Sequence, residues 1–224
     1  NHALSKYEDD NGKPLLTSNP VDQLSQSRAW YKIERRRTVL APHELADWYA
    51  ATNQLSYEVT RDYLHLLLFT GLRKTEAATL RWEQVCFKSK TLIIPDTKNG
   101  EPHTLPLTDY LEDLLTQRKE ASEGSPWVFP SPLHDSHLKE PRGATAKITE
   151  ITGKPFTLHD LRRTFITIAE SLDIPAYALK RLLNHRDPND VTAGYIVSNV
   201  ERIREPMQKI TAFILNKTQR TNRK

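Results

Sequence analysis

The chain lacks the sequence features that are typical of secreted proteins, of proteins with structural zinc sites and of membrane-spanning proteins. Its single cysteine, Cys86, cannot form an internal disulfide, and no second cysteine completes a zinc-ligand pair. No apolar run approaches the roughly 20 residues that cross a bilayer. The opening stretch NHALSKYEDD lacks the basic and then apolar pattern of a signal peptide. We therefore expect a cytoplasmic protein whose stability comes from core packing.

The chain also has little excess charge of either sign. The formal net charge is +4 over 224 residues, and the tail KTQRTNRK alone carries as many positive charges. A second basic cluster precedes the first strongly helical segment and consists of Arg28, Lys32, Arg35, Arg36 and Arg37. For both clusters a solvated linker or tail is favoured over phosphate contact, so bulk charge is weak evidence for nucleic-acid binding.

Residues 1–37 are polar and weakly periodic, with turn signals at DDNGKP and SNPVD, which indicates a linker. The chain begins without methionine, so we expect a fragment or a processed product that lacks an upstream domain. The length and the hydrophobic content of 38% allow one sizeable globular domain after this linker.

The rest of the chain alternates mostly helical segments with one extended region. Helical periodicity runs through TVLAPHELADWYAATNQ, where Pro42 suits a first helical turn, and through YEVTRDYLHLLLF, which Gly71 is expected to stop. Further helices are predicted in LRKTEAATL, in TDYLEDLLTQRKEA and near residues 140–151. The stretch TLIIPDTKNGEPHTLPL has two extended runs around Asn99-Gly100, a strong hairpin signal, and QVCF precedes them. The predicted fold class is mainly α with a small antiparallel β-sheet of three strands.

The stretch TLHDLRRTF, residues 157–165, places unusual polarity on an amphipathic helix. Thr157 and Asp160 form a capping pattern, which puts His159 and Arg162 in the first turns and on a different flank from the apolar stripe. An arginine near a helix N-terminus is repelled by the positive end of the helix macrodipole. A bound phosphate would stabilise both the arginine and the helix end. An arginine paired to Asp160 or another acid, beside a solvated histidine, is an equally good interpretation of this motif alone.

Other polar positions are ambiguous one at a time. Arg73 and Glu76 in TGLRKTEAATL share a helix face and would most simply form a surface ion pair, and Lys98 at a hairpin tip would most simply be a solubilising charge. IPAYALKRLLNH predicts a helix from Pro175 with Asn184 as a left-handed cap, which leaves His185 at the helix end. Tyr195, between glycine and isoleucine, would ordinarily be a core aromatic.

Taken in order, these elements resemble the catalytic domain of the tyrosine recombinases, the phage-integrase family. The matching stretches are TGLRKTE, the lysine of DTKNGE, LHDLRRTF, LLNH and GYI. The resemblance covers about residues 38–216, and NPVDQLS with IERRRTVLAPHEL is similar to the segment that leads into that domain. It implies that residues 1–37 are a linker from a missing N-terminal core-binding domain and that residues 217–224 are a basic tail.

The resemblance implies DNA cleavage and rejoining through a 3′-phosphotyrosyl link, with Tyr195 as the nucleophile and no metal or other cofactor. A phenol of pKa about 10 is mostly protonated at neutral pH, so positive charge must assist it. The implied catalytic and supporting residues are Arg73 and Arg162 as a clamp on the phosphate oxygens, His159 and His185 as donors, Lys98 as the acid for the departing 5′-oxygen, and Glu76 as support.

Two departures from the family pattern lie in one segment. Asn184 stands where the family more often has glycine, and the gap from His185 to Tyr195 is one residue longer than usual. The insert RDPND is typical of a turn.

Three alternatives remain at this point. Type IB topoisomerases share the same constellation of residues, although the chain length and the TGLR and LLNH stretches favour recombination. A non-catalytic DNA-binding or assembly module could use the same basic faces. A metal phosphohydrolase built on His159-Asp160, with His134 and His137 nearby, lacks a matching set of spaced acids.

The partners implied by the resemblance are double-stranded DNA and further copies of the chain in a tetramer, in the cytoplasm of a bacterial or phage-infected host cell. The segment SNVERIREPMQKITAFILNK has apolar residues at helical spacing, with Pro206 expected to start or kink the helix. Its stripe is slightly better explained as intramolecular core than as a surface that docks on a neighbouring protomer. The stripe consists of Ile203, Met207, Ile210, Phe213 and Ile214.

Overall fold

The computed structural model of the protein divides the chain into two compact units, Asn1–Arg37 and Thr38–Lys224. The residues that it describes are 7–9, 11–13, 18–29, 37–97, 100, 102–133, 135–184 and 200–219. Among the described residues of the first unit, Pro20–Gln26 form a short helix, α1. The side chain of Asn19 caps it by accepting from the backbone N–H of Val21 at 3.0 Å.

Three helices open the second unit: α2 (Leu45–Thr52), α3 (Glu58–Thr70) and α4 (Lys74–Ala78). The predicted start of α2 at Pro42 is wrong, because residues 42–44 form a turn and the helix begins at Leu45. As predicted, Gly71 ends α3, in the left-handed conformation with φ +63°. Helix α3 is buried on nearly every side and forms the centre of the core.

The predicted antiparallel sheet of three strands is present in the order β1-β2-β3. A 3₁₀ turn (Trp82–Gln84) leads into β1 (Val85–Cys86), followed by β2 (Thr91–Ile94) and β3 (His103–Pro106). The last pair of the hairpin is Ile94 with His103, so the loop is longer than the two-residue turn that Asn99-Gly100 predicts. Proline at 95 and 102 explains this, because neither residue has an N–H to extend the ladder.

Five further helices complete the described part of the second unit: α5 (Asp109–Glu120), α6 (Arg142–Thr152), α7 (Leu158–Ser171), α8 (Ala176–Leu182) and α9 (Glu201–Thr218). Helix α7 packs on α3 through the predicted apolar stripe, in which Leu161 and Phe165 are fully buried. In the described parts of the chain, no helix is long and apolar enough to cross a membrane.

Helix α9 packs within the same chain, against α2, α8 and β3. Its buried residues include Ile203, Met207, Ile210 and Ile214, so the intramolecular interpretation of this stripe is confirmed. Pro206 does not start the helix, because α9 begins at Glu201 and contains the proline in its interior.

A buried hydrogen-bonded chain links α2, α3 and α5. Thr52 Oγ1 donates its one proton to the carbonyl oxygen of Tyr49 at 2.7 Å, so it must accept from Nε2 of His65, 2.8 Å away. Nδ1 of His65 then accepts from the hydroxyl of Tyr110 at 3.0 Å. Burial lowers the pKa of His65 to about 3, which keeps the ring neutral in this tautomer.

Candidate functional site: a basic cleft between two helix N-termini

The N-terminus of α4 presents an arginine held by a buried carboxylate. Arg73 is the N-cap residue, and Glu76 Oε2 accepts its backbone N–H at 3.0 Å. Glu76 Oε1 accepts from Nη1 of the same arginine at 2.7 Å. The predicted ion pair is therefore present, but it is not an ordinary surface pair, because only 5% of the Glu76 side chain is exposed against 26% for Arg73. Both carboxylate oxygens orient a single guanidinium-bearing residue.

Gly71 lets the chain turn from α3 toward this arginine. Its φ of +63° is in the left-handed region, and a Cβ at this position would lie 2.6 Å from Cδ1 of Phe165. The glycine therefore allows α7 to approach the α3–α4 connection closely. The same approach brings the carbonyl oxygen of Gly71 to the side chain of Arg162.

The predicted capping pattern of α7 fixes the second half of the site. Asp160 Oδ2 accepts the backbone N–H of Thr157 at 2.8 Å, and the helix begins at Leu158. Asp160 Oδ1 accepts from Arg163 Nη1 at 2.8 Å. The alternative in which Asp160 pairs with an arginine of this motif thus holds for Arg163.

Arg162 is buried and held by two backbone carbonyls. Its Nη1 donates to the oxygen of Gly71, and its Nη2 donates to the oxygen of Leu183 at 2.9 Å. Only 5% of the residue is exposed, although it lies on a different flank of α7 from the apolar stripe. Apolar periodicity does not predict this burial, because the partners of Arg162 are backbone atoms distant in the chain.

A cleft of about 390 Å³ lies where the N-termini of α4 and α7 meet. The described residues that line it are Leu72, Arg73, Lys74, Thr75, Leu158, His159 and Arg162. Three residues predicted from two separate motifs, Arg73 from one and His159 and Arg162 from the other, thus share one cavity, whose volume is in the usual range of small-ligand sites, about 300 to 1,000 Å³.

The electrostatics of the cleft favour an anion. Burial and the nearby guanidinium of Arg73 lower the pKa of Arg162 to about 10, while Glu76 opposes this shift. Arg162 therefore stays charged at neutral pH despite the two cations facing each other. Burial, with Arg163 and Arg162 nearby, also lowers the pKa of His159, which favours a neutral imidazole at neutral pH. A bound anion would relieve the repulsion between the two guanidiniums.

His103 on β3 is a neighbour of the site that the sequence analysis missed. Its Nε2 lies 3.0 Å from the carbonyl oxygen of Arg181, which can only accept, so Nε2 carries the proton. Its buried Nδ1 has no hydrogen-bond partner among the described residues. Burial lowers the pKa of His103 to about 4, with Glu76 and Arg162 among the charges that act on it. The only sequence signal was its position after the hairpin loop.

The end of α8 adopts the predicted left-handed cap. Asn184 has φ +49°, and its Nδ2 donates to Oγ1 of Thr97 at 3.0 Å. Thr97 lies in the loop after β2 and directly precedes Lys98 in the chain, just as Asn184 precedes His185. Lys98, His185 and Tyr195 lie outside the described residues, so their catalytic roles stay predictions.

The described residues contain no group of three or more histidine, cysteine, aspartate or glutamate side chains arranged to hold a metal ion. His137 instead has its Nδ1 3.0 Å from the carbonyl oxygen of Leu138, and its ring packs on Trp127. His134 lies outside the described residues.

Comparison with known proteins shows which family the chain belongs to. The family model described as Phage integrase family matches residues 38–202, most of the chain. The chain belongs to the phage integrase family. The match includes every residue that the sequence analysis proposed for the site, from Arg73 to Tyr195.

Relatives of this phage integrase chain include proteins from bacteria and archaea. Prophage integrase IntF of Escherichia coli strain K12 is 32% identical over 184 residues, which are 79% of this chain and 39% of IntF. A shufflon-specific DNA recombinase of Escherichia coli is 23% identical over 88% of this chain and 51% of its own length. Tyrosine recombinase XerA of Saccharolobus solfataricus is 29% identical over 57% of this chain and 43% of XerA.

Solved structures confirm the fold. The Tn1549 transposon integrase in complex with transposon right end DNA has a TM-score of 0.63 at 17% identity, covering 88% of this chain and 73% of that one. A lambda integrase dimer bound to a core site has a TM-score of 0.57 at 20% identity, covering 72% and 62%. The predicted fold, mainly helical with a small antiparallel sheet, is thus that of the tyrosine recombinase catalytic domains. The chain spans between about a third and half the length of curated relatives that it matches.

Proposed function

We propose that this phage integrase chain is the catalytic part of a site-specific DNA recombinase that cleaves and rejoins DNA through a 3′-phosphotyrosyl intermediate. The observation that carries the proposal is the convergence of Arg73, His159 and Arg162 on one cleft. A scissile phosphate is the anion that this set suits, because the planar forks of two arginines match its non-bridging oxygens.

The guanidinium of Arg162 is fixed before any substrate arrives. The carbonyl oxygens of Gly71 and Leu183 hold it from two sides, and Glu76 holds Arg73 through both carboxylate oxygens. Donors that are already oriented need no reorganisation as charge develops on the phosphate. Removal of one such donor commonly lowers the rate by about 10² to 10³.

The chemistry is an exchange of one phosphodiester for another. The hydroxyl oxygen of Tyr195 attacks phosphorus, its bond to phosphorus forms, and the bond to the 5′-oxygen breaks. His159 or His185 receives the phenolic proton, and Lys98 protonates the departing 5′-oxygen. Attack by a 5′-hydroxyl on the tyrosine ester then reverses the sequence. Glu76 orients Arg73 and takes no part in proton transfer.

The proposed organisation follows the family. Residues 38–216 form the catalytic domain, residues 1–37 are the linker from an N-terminal core-binding domain, and residues 217–224 are a basic tail. The substrate is double-stranded DNA, and four chains act together on two duplexes. The DNA complexes of the Tn1549 and lambda integrases support the choice of DNA.

The test is a suicide substrate, a duplex nicked beside the cleavage position so that the released 5′ fragment diffuses away and the covalent adduct accumulates. The unmodified chain, joined to a core-binding domain of its relatives if needed for binding, should form an adduct that resists denaturant and forms equally in chelator. Tyr195→Phe should bind the same DNA and form no adduct. Adduct formation by Tyr195→Phe would overturn the assignment of the nucleophile.

The same assay distinguishes the alternatives. DNA binding by the unmodified chain without an adduct would identify a non-catalytic DNA-binding module. An adduct combined with relaxation of supercoiled plasmids, and without strand exchange between two sites, would identify topoisomerase-like activity. Loss of activity in chelator would favour the metal phosphohydrolase.

A further inference from the structure

His103 is a buried histidine at the start of β3, on the side of the sheet that faces the core. It pairs with Ile94 across the ladder and shares its face of the strand with Leu105, which is fully buried. Its Nε2 donates to the carbonyl oxygen of Arg181 at 3.0 Å, whereas Nδ1 has no hydrogen-bond partner among the described residues. In the described part of the chain, the ring thus makes one hydrogen bond and leaves one buried acceptor unsatisfied.

The unsatisfied Nδ1 lowers the stability of the fold, because this atom gives up a hydrogen bond to water on burial and gains none in return. Packing does not explain a histidine here, since a leucine has a similar volume and no polar atom to desolvate. Burial lowers the pKa of His103 to about 4, so the ring is neutral and keeps its single proton on Nε2. The role of His103 therefore lies in the carbonyl group that Nε2 contacts.

This carbonyl group belongs to the last turn of α8, where a helix has no further turn to bond its carbonyl oxygens. The oxygen of Arg181 accepts from the backbone N–H of Asn184 at 3.2 Å as well as from His103. Two residues later, the oxygen of Leu183 accepts from Nη2 of Arg162 at 2.9 Å. The carbonyl that His103 holds and the carbonyl that orients Arg162 thus lie within three consecutive residues of one helix end.

Apolar packing alone would define the position of this helix end only loosely. Leu182 and Leu183 are buried and hold α8 on the core, but apolar contacts have no preferred direction. A hydrogen bond, in contrast, fixes both the distance and the angle between its two groups. The bond from β3 therefore sets where the end of α8 lies, and with it the acceptor of Arg162.

We propose that His103 is a positioning residue, whose hydrogen bond to the end of α8 holds the carbonyl of Leu183 where it orients Arg162 toward the scissile phosphate. His103 is not among the described residues that line the cleft, so it acts on the phosphate through Arg162. A misdirected guanidinium stabilises the developing charge less well, even when the displacement is small. This inference rests on the proposed function, because the phosphate belongs to that reaction.

The first test compares stability with cleavage rate in His103→Leu, which removes the donor and the unsatisfied acceptor together. The carbonyl of Arg181 keeps the N–H of Asn184, so it is not left without a donor. We expect the urea midpoint at pH 7 to stay at or above that of the unmodified chain. Single-turnover cleavage of the nicked suicide duplex should fall about three- to tenfold. His103→Gln keeps an amide N–H that can reach the carbonyl and should stay within about twofold of the unmodified rate.

The second test changes the phosphate and asks whether the loss passes through Arg162. A methyl group in place of one non-bridging oxygen removes the negative charge that the guanidinium stabilises. His103→Leu should therefore slow cleavage of such a methylphosphonate duplex by less than about twofold. Adding His103→Leu to Arg162→Lys should cause no further loss on the ordinary duplex, because no guanidinium is left to orient.

His137→Leu is the matched control. The ring of His137 also contacts a backbone carbonyl, with Nδ1 3.0 Å from the oxygen of Leu138, and His137 is not among the described residues that line the cleft. This variant should cleave both duplexes within about twofold of the unmodified chain.

The results that contradict this role differ from those that contradict the proposed function. Equal losses by His103→Leu on the phosphate and methylphosphonate duplexes would reduce His103 to a structural role. Unchanged cleavage by His103→Leu, or an equal loss in His103→Gln or His137→Leu, would also overturn the inference. In each of these cases the unmodified chain still forms the adduct, so the proposed function would stand. Absence of an adduct with the unmodified chain on the ordinary duplex would overturn both.

Discussion

Arg162 and Leu183 are joined directly, with Nη2 of the arginine donating to the carbonyl oxygen of the leucine at 2.9 Å. The second donor of the same guanidinium, Nη1, reaches the carbonyl oxygen of Gly71. One buried side chain thus connects the end of α8, the start of α7 and the turn before α4. Because these hydrogen bonds share one guanidinium, a change at one of these positions should alter the geometry at the others.

Replacing Arg162 with lysine should separate charge from geometry. Arg162→Lys keeps a cation, but an ammonium group cannot donate to both carbonyls and also make a bidentate contact with a phosphate. We therefore expect adduct formation to fall by about 10² to 10³. Arg163→Lys is the matched control, because Arg163 lies on the same helix and pairs with Asp160 outside the cleft lining. Similar losses in both variants would show that general damage to α7, and not the phosphate clamp, causes the effect.

Removing the charge of Glu76 should disturb Arg73. In Glu76→Gln an amide group replaces one of the two oxygens that Arg73 donates to, so a donor faces a donor. We expect a loss of about 1 to 3 kcal/mol in unfolding free energy and about tenfold in adduct formation. Glu83→Gln changes an exposed carboxylate, 74% accessible, and should leave both quantities nearly unchanged. Full activity of Glu76→Gln would mean that Arg73 needs no such support.

A methyl group on Gly71 should destabilise the protein by two separable effects. Gly71→Ala meets both the left-handed backbone and a contact of 2.6 Å with Phe165, whereas Gly153→Ala meets only the backbone effect, since nothing lies within 4 Å. In urea titrations we expect Gly71→Ala to lose about 1 to 3 kcal/mol more than Gly153→Ala. Equal losses would show that Phe165 moves aside at no cost.

The unfolding free energy should fall as the pH is lowered from about 7 toward 4. Burial lowers the pKa of His65 to about 3 and that of His103 to about 4, both below the usual value of 6.5. The unfolded chain therefore binds more protons in this interval, and each histidine contributes a slope of up to about 1.4 kcal/mol per pH unit. Urea titrations at pH 7 and pH 5 measure it.

Two variants check the origin of that slope. His65→Gln should unfold at lower urea but with a shallower dependence on pH, because one of the two buried histidines is gone. His43→Gln, at an exposed position, should retain the full dependence. A slope unchanged in His65→Gln would contradict the neutral, doubly hydrogen-bonded state of that ring.

Local sequence patterns predicted the ends of these helices well but did not predict how far the strands pair. The capping pattern at Thr157 and Asp160 located the start of α7, and Gly71 and Asn184 were correctly predicted as left-handed ends. The extent of the hairpin was missed because two prolines end the ladder before the Asn-Gly turn takes effect.

At the site, too, some features could be predicted from the sequence and others could not. Arg73, Glu76, His159 and Arg162 could be predicted because the resemblance ties them to motifs, and the structure brings the three cleft residues together. The burial of Arg162 could not be predicted, since its acceptors are carbonyl oxygens 91 and 21 positions away and every residue has a carbonyl. His103 carried no motif, and only the packing of β3 against α8 reveals it.

The most direct test of the account is to map the covalent adduct by digesting it with trypsin and a nuclease and analysing the peptides by mass spectrometry. The account predicts one modified peptide, in which the oxygen of Tyr195 carries a 3′-phosphorylated nucleotide. A nucleotide attached to another residue, such as Tyr177 on α8, or joined through a 5′-phosphate would contradict it.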